Sequence, residues 1–356
     1  MESQLQIIRE KIDALDDQIL HILTQRMHLV KDVGELKRST NAIIYRPERE
    51  KAILDRLNGL NKGLLTPSAI ESIFSEIFAV SRHLELPERV AYLGPEGSFS
   101  HQAAESRFGA ISHYVPLSNI DAVFESVTTG RVRFGVVPIE NNREGSVSET
   151  IDMLGISDIK IVSEIPMNIH FTLAAEEDRL ENIKRIYSKD IAFKQCSKFI
   201  NEYFGDRVEL VPVTSTSKAA QLAKAEPYSA AICSPIAAKL VGLPIAFENI
   251  EDSINNRTRF LVISKDFVNK KSPDSKSTVI AKVADQAGSL ANLLQDFSIA
   301  RINLYKIESR PLKEDKQFKS WFLIDFEGHF EDENVKYVLE KNKEQISWLG
   351  SYVRLC

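Results

Sequence analysis

Leu5, Ile8, Ile12, Leu15, Ile19 and Ile22 recur at alternating intervals of three and four residues, the rhythm of one long amphipathic helix. The next position on that stripe is Arg26. Apolar residues then resume at Leu29 or Val30, Val33 and Leu36, so a guanidinium stands where a core residue is due. Arg9 borders the same stripe, and Lys37 follows Val33 by one helical turn. A second helix is predicted after Tyr45-Arg46-Pro47-Glu48, with Pro47 in its first turn and Arg49, Ile53, Leu57 and Leu60 on one face. A third takes Thr66 as N-cap and Pro67 as first residue. It carries Ile70, Ile73, Phe74 and Ile77, continues into Ser81, Leu84 and Glu85, and stops before Pro87. Cations on such a seam either set register and reach for water, as in a coiled-coil arm, or face a bound anion. Several of them on two helices favour the anion, because unpaired buried charge is strongly disfavoured.

A chain of 356 residues is too long for one core and suggests two or three domains. Its formal net charge of -5 argues against nucleic acid as a partner, so anion chemistry must come from local clusters. Residues 1–11 mix charges with isolated apolar side chains, unlike a signal peptide. The most apolar region, Tyr228 to Phe247, is broken by Pro235, Lys239, Gly242 and Pro244, which excludes a membrane span there. Cys196, Cys233 and Cys356 are odd in number and far apart, as in a reduced, cytoplasmic protein without a metal site.

After Leu86-Pro87 the periodicity changes. Short apolar runs at Arg89 to Leu93, Phe134 to Ile139, Ile159 to Ile165, Arg185 to Ser188, Val208 to Val213 and Ser229 to Cys233 alternate with helical patterns. This predicts βα units in mainly parallel sheets. The run Ile159 to Leu173, with Pro166 inside it, can pass from one lobe to another, and a return near Phe247 would leave a cleft between two lobes, as in a bilobal binding protein. Gly94-Pro95-Glu96-Gly97-Ser98-Phe99-Ser100 joins a strand to a helix but has neither P-loop nor Rossmann spacing. Its amides and hydroxyls could hold a carboxylate, or simply cap the helix. Glu140 and Asn141 end a buried strand, where α/β sheets present ligands. Ser146 and Glu149 read as a capping box, Gln195-Cys196-Ser197 lies in a helix predicted from Ile191 to Phe204, and Thr214 to Ser217 cap another. Asn256-Arg257-Thr258-Arg259-Phe260 sets one hydroxyl between two cations before an apolar strand: an anion site, or a junction whose arginines are solvated. Lys270 to Lys276 reads as a polar linker, and the pattern beyond it as strand, helix, two strands, helix and strand, the ferredoxin-like order.

Arg9-Glu10-Lys11-Ile12, Arg26, Val33-Gly34-Glu35-Leu36-Lys37 and Arg46-Pro47-Glu48-Arg49-Glu50 resemble the all-helical chorismate mutase family, three-helix protomers in an intertwined dimer. The resemblance implies that Arg9 of the partner, Arg26, Arg49 and Lys37 hold the carboxylates and ether oxygen of chorismate. It gives Glu50 the ring hydroxyl, with Ser81 and Glu85 closing the site. Arg46 and Glu85 stand where one form of that family has Asp and Gln, and Glu85 must carry a proton to donate as Gln does. The motifs from Gly94 to Phe260 resemble the prephenate dehydratase family. They imply Thr258 as the acid near the leaving hydroxyl and Asn141, Gln195 and Arg259 as groups that bind or orient substrate. Glu140, Ser98, Ser215 and Thr216 are further candidates. Ser98, Asn142 and Lys189-Asp190 depart from that family's usual residues. Gly288-Ser289-Leu290 and Glu308-Ser309-Arg310-Pro311 resemble the ACT regulatory family, which implies phenylalanine bound between paired modules; Ser289 replaces the usual Ala.

The implied chain is therefore multi-domain: an all-α mutase over residues 1–87, a two-lobed α/β dehydratase over 88–268 that is periplasmic-binding-protein-like, and a ferredoxin-like α+β module over 276–356. Its expected partners are chorismate, prephenate and L-phenylalanine, with chains joined as a homodimer or homotetramer through the helices and C-terminal modules. No cofactor, metal, nucleic acid or membrane is expected.

Overall fold

The computed structural model describes residues 2–39, 45–85, 89–253, 255–311 and 320–355; Pro87 and Cys356 lie outside them. Contacts divide the chain into two units, one holding the first three helices with residues 108–113, the other holding residues 89–107 and the chain from Tyr114 on.

No proline interrupts the first segment, and α1 runs unbroken from Glu2 to Ser39. Its one glycine has a use: a Cβ on Gly34 would stand 3.1 Å from Glu85 Cα, so the missing side chain lets α1 approach α3. Helix α2 (Pro47–Leu60) starts on its proline, and α3 (Pro67–Glu85) is capped by Thr66, whose Oγ1 accepts from Ala69 N at 3.2 Å. The α1 stripe stays open to solvent: Leu5, Ile8, Ile12, Leu15, Ile19 and Ile22 are 48–62% exposed. Ile73 and Leu84 of α3 are exposed as well, so that helix buries Ile70, Phe78 and Ala79 rather than the whole expected face.

In the second unit β1 (Arg89–Leu93), β2 (His113–Leu117), β3 (Phe134–Asn141), β4 (Gly145–Ser146) and β5 (Lys160–Asn168) form most of a first sheet. The chain then crosses to a second sheet made of β6 (Thr172–Ala175), β7 (Arg185–Ser188), β8 (Glu209–Pro212), β9 (Ser229–Cys233) and β10 (Ile245–Phe247), in the order β10-β6-β9-β7-β8. Strand β11 (Arg257–Ser264) returns to the first sheet, completing β2-β1-β3-β11-β5. The two crossings run side by side, joined by Ile169 N to Asn256 O (2.7 Å) and Ile250 N to Phe171 O (3.1 Å). The sheets are mixed rather than mainly parallel. Only the β1/β3, β7/β8 and β7/β9 pairs are parallel among those whose register is resolved, and the strands next to the crossings, β6, β10 and β11, pair antiparallel. A strand that returns from the other lobe enters the sheet reversed, which sequence periodicity does not record. The insertion of β11 between β3 and β5 puts Thr258 opposite Asn141.

The last four strands, β12 (Ser275–Ala281), β13 (Leu304–Pro311), β14 (Ser320–Glu327) and β15 (Ile346–Val353), make an antiparallel sheet in the order β13-β14-β12-β15, with the helices Ser289–Ile299 and Glu333–Lys341. This is the split βαβ arrangement expected. Ile280, Trp321, Leu323, Leu349 and Tyr352 share one core with Val137, Ile161 and Leu261 of the first lobe. Three local expectations fail. Ser146 is no capping box with Glu149, because it pairs in β4 with Glu140 and the helix Ser148–Ile156 has Val147 at its N-cap. The helix expected from Ile191 to Phe204 breaks at Cys196 into Asp190–Gln195 and Ser197–Tyr203. The linker ends early, since Ser275 and Lys276 are buried in β12.

Candidate active sites

Asn141 lies at the end of β3 and Thr258 at the start of β11, and Asn141 Nδ2 donates to Thr258 Oγ1 at 2.8 Å. The same nitrogen donates to Asn256 Oδ1 at 2.9 Å, and Asn256 Nδ2 donates to Gln195 Oε1 at 3.0 Å. A chain of neutral polar groups thus runs from the first lobe, through the second crossing, to Gln195 in the second lobe. Asp252 secures its far end by accepting from Ser197 Oγ (2.7 Å) and Lys198 N (2.9 Å) while its own N–H donates to Gln195 O (2.6 Å). Thr258 and Asn256 are buried, so each unmade bond there would carry the full cost of desolvation. Asn256 was not singled out from sequence as a site residue; it becomes conspicuous only when both lobes are folded.

Arg259 and Glu140 do not join this cleft. Successive residues of a strand face opposite ways, so the side chain after Thr258 and the one before Asn141 point to the back of the sheet. There Arg259 Nε donates to Glu140 Oε1 at 2.6 Å, and its Nη1 reaches Asp325 (2.9 Å) and Glu164 (3.3 Å). Lys276 contacts Glu164 at 2.9 Å and Asp325 at 3.4 Å, while Lys306 pairs with Glu140 and Glu308. Burial pulls the Arg259 guanidinium down, but Asp325, Glu140 and Glu164 hold it above its usual value. Burial pushes the Asp325 and Glu140 carboxyls up, yet Arg259 with Lys276 and Lys306 keeps both below the ordinary range. Arg259 is thus a tie between the first lobe and the C-terminal sheet, not a free cation for substrate. Glu164 and Asp325 went unnoticed in sequence, although a carboxylate inside each apolar run was the available signal.

The remaining cleft candidates serve their own turns. Ser98 Oγ donates to Leu93 O and accepts from His101 N, and Ser215 caps the helix Thr216–Ala225 by accepting from Lys218 N at 3.0 Å. Thr216 is buried at that helix start. The two turns face each other, for a Cβ on Gly97 (φ +78°) would stand 3.1 Å from Ser217 Oγ.

In the helical unit Arg26 Nη1 donates to Ser81 Oγ at 2.5 Å and Lys37 Nζ pairs with Glu85 Oε2 at 2.6 Å. Burial lowers the Arg26 pKa, and Arg49 nearby lowers it further against the opposing pull of Glu85. These residues therefore lie together on one seam, with Arg49 at the exposed rim. Glu50 pairs with Arg82, which also lies over the Tyr45 ring at 5.7 Å; Arg82 was missed in sequence. Arg9 is exposed and lies about 25 Å from Arg26 along the same helix, too far for one site to use both from one chain.

Of the two C-terminal segments, Gly288 takes a left-handed conformation (φ +89°) before a helix that opens with Ser289 and Leu290. Glu308, Ser309, Arg310 and Pro311 end the edge strand β13. Glu308 bonds Ser146, and Arg310 bonds Asp152 Oδ1 (2.9 Å) and Ser148 Oγ (3.0 Å), so both charges are engaged with the first lobe. Among the described residues no group of three or more His, Cys, Asp or Glu is placed to hold a metal, and no helix is long and apolar enough to cross a membrane. Cys196 and Cys233 are free, buried thiols.

Residues 8–86 match the family profile for chorismate mutase type II, and residues 90–267 that for prephenate dehydratase. A bifunctional chorismate mutase/prephenate dehydratase from Aquifex aeolicus is 40% identical over 359 residues, covering 98% of each chain. The one from Escherichia coli K12 is 29% identical, covering 99% of this chain and 96% of its own. A crystal structure of prephenate dehydratase in complex with L-Phe from Arthrobacter aurescens superposes with a TM-score of 0.67 at 32% identity, over 75% of this chain and 90% of that one.

Proposed function

The chain belongs to the bifunctional chorismate mutase/prephenate dehydratase family, and from that premise we propose how its parts divide the work. Residues 1–87 rearrange chorismate to prephenate, residues 88–268, a bilobal unit like a periplasmic binding protein, convert prephenate to phenylpyruvate, and residues 276–356 are an ACT module that lowers activity when phenylalanine binds. The observation that carries the dehydratase assignment is the hydrogen-bonded line from Thr258 through Asn141 and Asn256 to Gln195. The phenylalanine complex of the Arthrobacter relative supports the inhibitor.

The mutase step is unimolecular and moves no proton. Arg26, Arg49 and Lys37 fix a compact conformer and meet the negative charge that grows on the ether oxygen as its C–O bond breaks, with Glu50, Ser81 and Glu85 shaping the pocket. The exposed α1 stripe and the distance from Arg9 to Arg26 support a partner chain that covers the stripe and lends its Arg9, giving a homodimer, or a homotetramer if the C-terminal modules also pair.

In the dehydratase the bond from ring carbon to carboxylate breaks and releases carbon dioxide. Its electron pair enters the ring, and the C–O bond to the ring hydroxyl breaks at the other end. Thr258 Oγ–H gives its proton to that oxygen so that it leaves as water, and solvent returns the proton. Aromatisation supplies much of the driving force, so the site orients the carboxylates and protonates the leaving group. Gln195 binds substrate, with Ser98, Ser215 and Thr216 in support, and Arg259 and Glu140 act from behind the sheet. The test is conversion of chorismate by the purified chain, following prephenate and phenylpyruvate with and without phenylalanine. Accumulation of prephenate without phenylpyruvate would sink the dehydratase half.

A further inference from the structure

Backbone N–H groups only donate, so the two that point at the Asn141 side chain, from Arg143 (2.8 Å) and Glu144 (3.0 Å), identify the atom they meet as its carbonyl oxygen. The rest follows by elimination. Asn141 must turn its nitrogen to Thr258 and Asn256, so Asn256 must meet it with Oδ1. The nitrogen of Asn256 then faces Gln195, which must answer with Oε1. Asn141 is thereby saturated, with both protons donated and its oxygen accepting twice, and has nothing left for substrate. Thr258 Oγ already accepts, which leaves its own proton to be given elsewhere. Gln195 has its oxygen engaged and offers the two N–H bonds of Nε2.

We infer that Asn256 is a positioning residue that carries the direction fixed at Asn141 across to Gln195, so that Gln195 joins Thr258 in presenting donors to a substrate bearing carboxylates and a leaving hydroxyl. The inference rests on the dehydratase reading above. Asn256 is buried at the point where the chain re-enters the first lobe, and it is the link between the Thr258 pair and the second lobe. Its amide is needed because only a group that accepts on one side and donates on the other can keep both neighbours in their polarity.

The test uses Asn256→Asp in the full chain. A carboxylate of the same shape still accepts from Asn141, so Thr258 keeps its free proton. It cannot donate to Gln195, which must turn Nε2 inward and show its carbonyl to an anionic substrate. The expected result is a rise of about tenfold or more in the KM for prephenate with kcat within about threefold. In a Gln195→Ala background the same substitution should change KM by less than about twofold, because its effect passes through Gln195. The retained kcat reports that the cleft-bearing unit is folded, and mutase activity in the same preparations reports the same of the helical unit. An unchanged KM in Asn256→Asp, a loss confined to kcat, or equal effects with and without Gln195 would overturn the inference. Failure of the unmodified chain to turn over prephenate would instead sink the dehydratase reading.

Discussion

On the proposed division of labour, the helical site and the cleft site handle related dianions with opposite means. In the first, Arg26, Lys37 and Arg49 crowd one seam, and the burial of Arg26 beside Arg49 already costs it proton affinity. In the second, the groups beside Thr258 are neutral amides, and Arg259 is turned to the back of the sheet among carboxylates. A rearrangement that moves no proton and builds negative charge on one oxygen is served by fixed cations placed at that oxygen. A dehydration needs a proton delivered to one oxygen, and neutral donors of known direction do that without pulling the substrate towards an ion pair. The sites differ also in completeness: the amide line closes within one chain, whereas the helical seam leaves its apolar stripe open and its outlying Arg9 remote.

Removal of the proton donor should separate the two activities most widely. Thr258→Ala is expected to lower dehydratase kcat by about 10³-fold with little change in KM, and to leave the mutase rate alone. Parallel assays on one preparation check it; near-normal turnover would exclude the acid role. Completeness is tested next. Arg9→Ala and Arg26→Ala should each lose most mutase activity, yet mixed and re-annealed chains should recover about a quarter of it, since half the dimers then hold one intact site of two. Mixing Thr258→Ala with Asn141→Ala should restore no dehydratase activity. Recovery in the second mixture, or none in the first, would reverse the comparison.

Local rhythm carried most of what the sequence disclosed. The three helices, six expected strands of the middle region and the βαββαβ order all appear in the structure, because period and turn chemistry are properties of neighbouring residues. What could not be read depends on pairing between distant strands. Arg257-Thr258-Arg259 looks like a hydroxyl between two cations in one site, but once β11 lies between β3 and β5 the alternation of faces sends Arg259 away from Thr258. Ser146 fits a capping box one residue too early because its pairing with Glu140 claims it for a strand. Asn256 and Gln195 are 61 residues apart, and only the fold brings their side chains together.

The charges behind β11 should tie stability to acid. Asp325 and Glu140 sit below the ordinary carboxylate range in the folded chain, so their contribution is complete above the unfolded value, near 4, and is lost as pH falls through the depressed folded values. Asp325→Asn leaves Arg259 and Lys276 buried with less counter-charge and should cost about 3 kcal/mol at neutral pH. The gap from the unmodified chain should begin to narrow below about pH 4 and close only as pH falls through the depressed folded value of Asp325. Thermal unfolding of the full chain across that range, followed by dehydratase activity, measures it. A gap that stays constant with pH would mean that packing, not charge, holds the two sheets together.

The smallest effect is expected where the helical site is least like an array of cations. Glu85 accepts from Lys37, and as a carboxylate it can only accept. Glu85→Gln supplies a permanent donor to the ether oxygen but removes the partner of Lys37, and the two changes oppose each other. Mutase kcat/KM at neutral pH should therefore stay within about threefold of the parent value. Should it fall more than about tenfold, the ion pair that aims Lys37 matters more than a donor at this position. The seam would then share with the back of β11 the device of steering a cation by a buried carboxylate, and the contrast between the two sites would narrow to the cleft face alone.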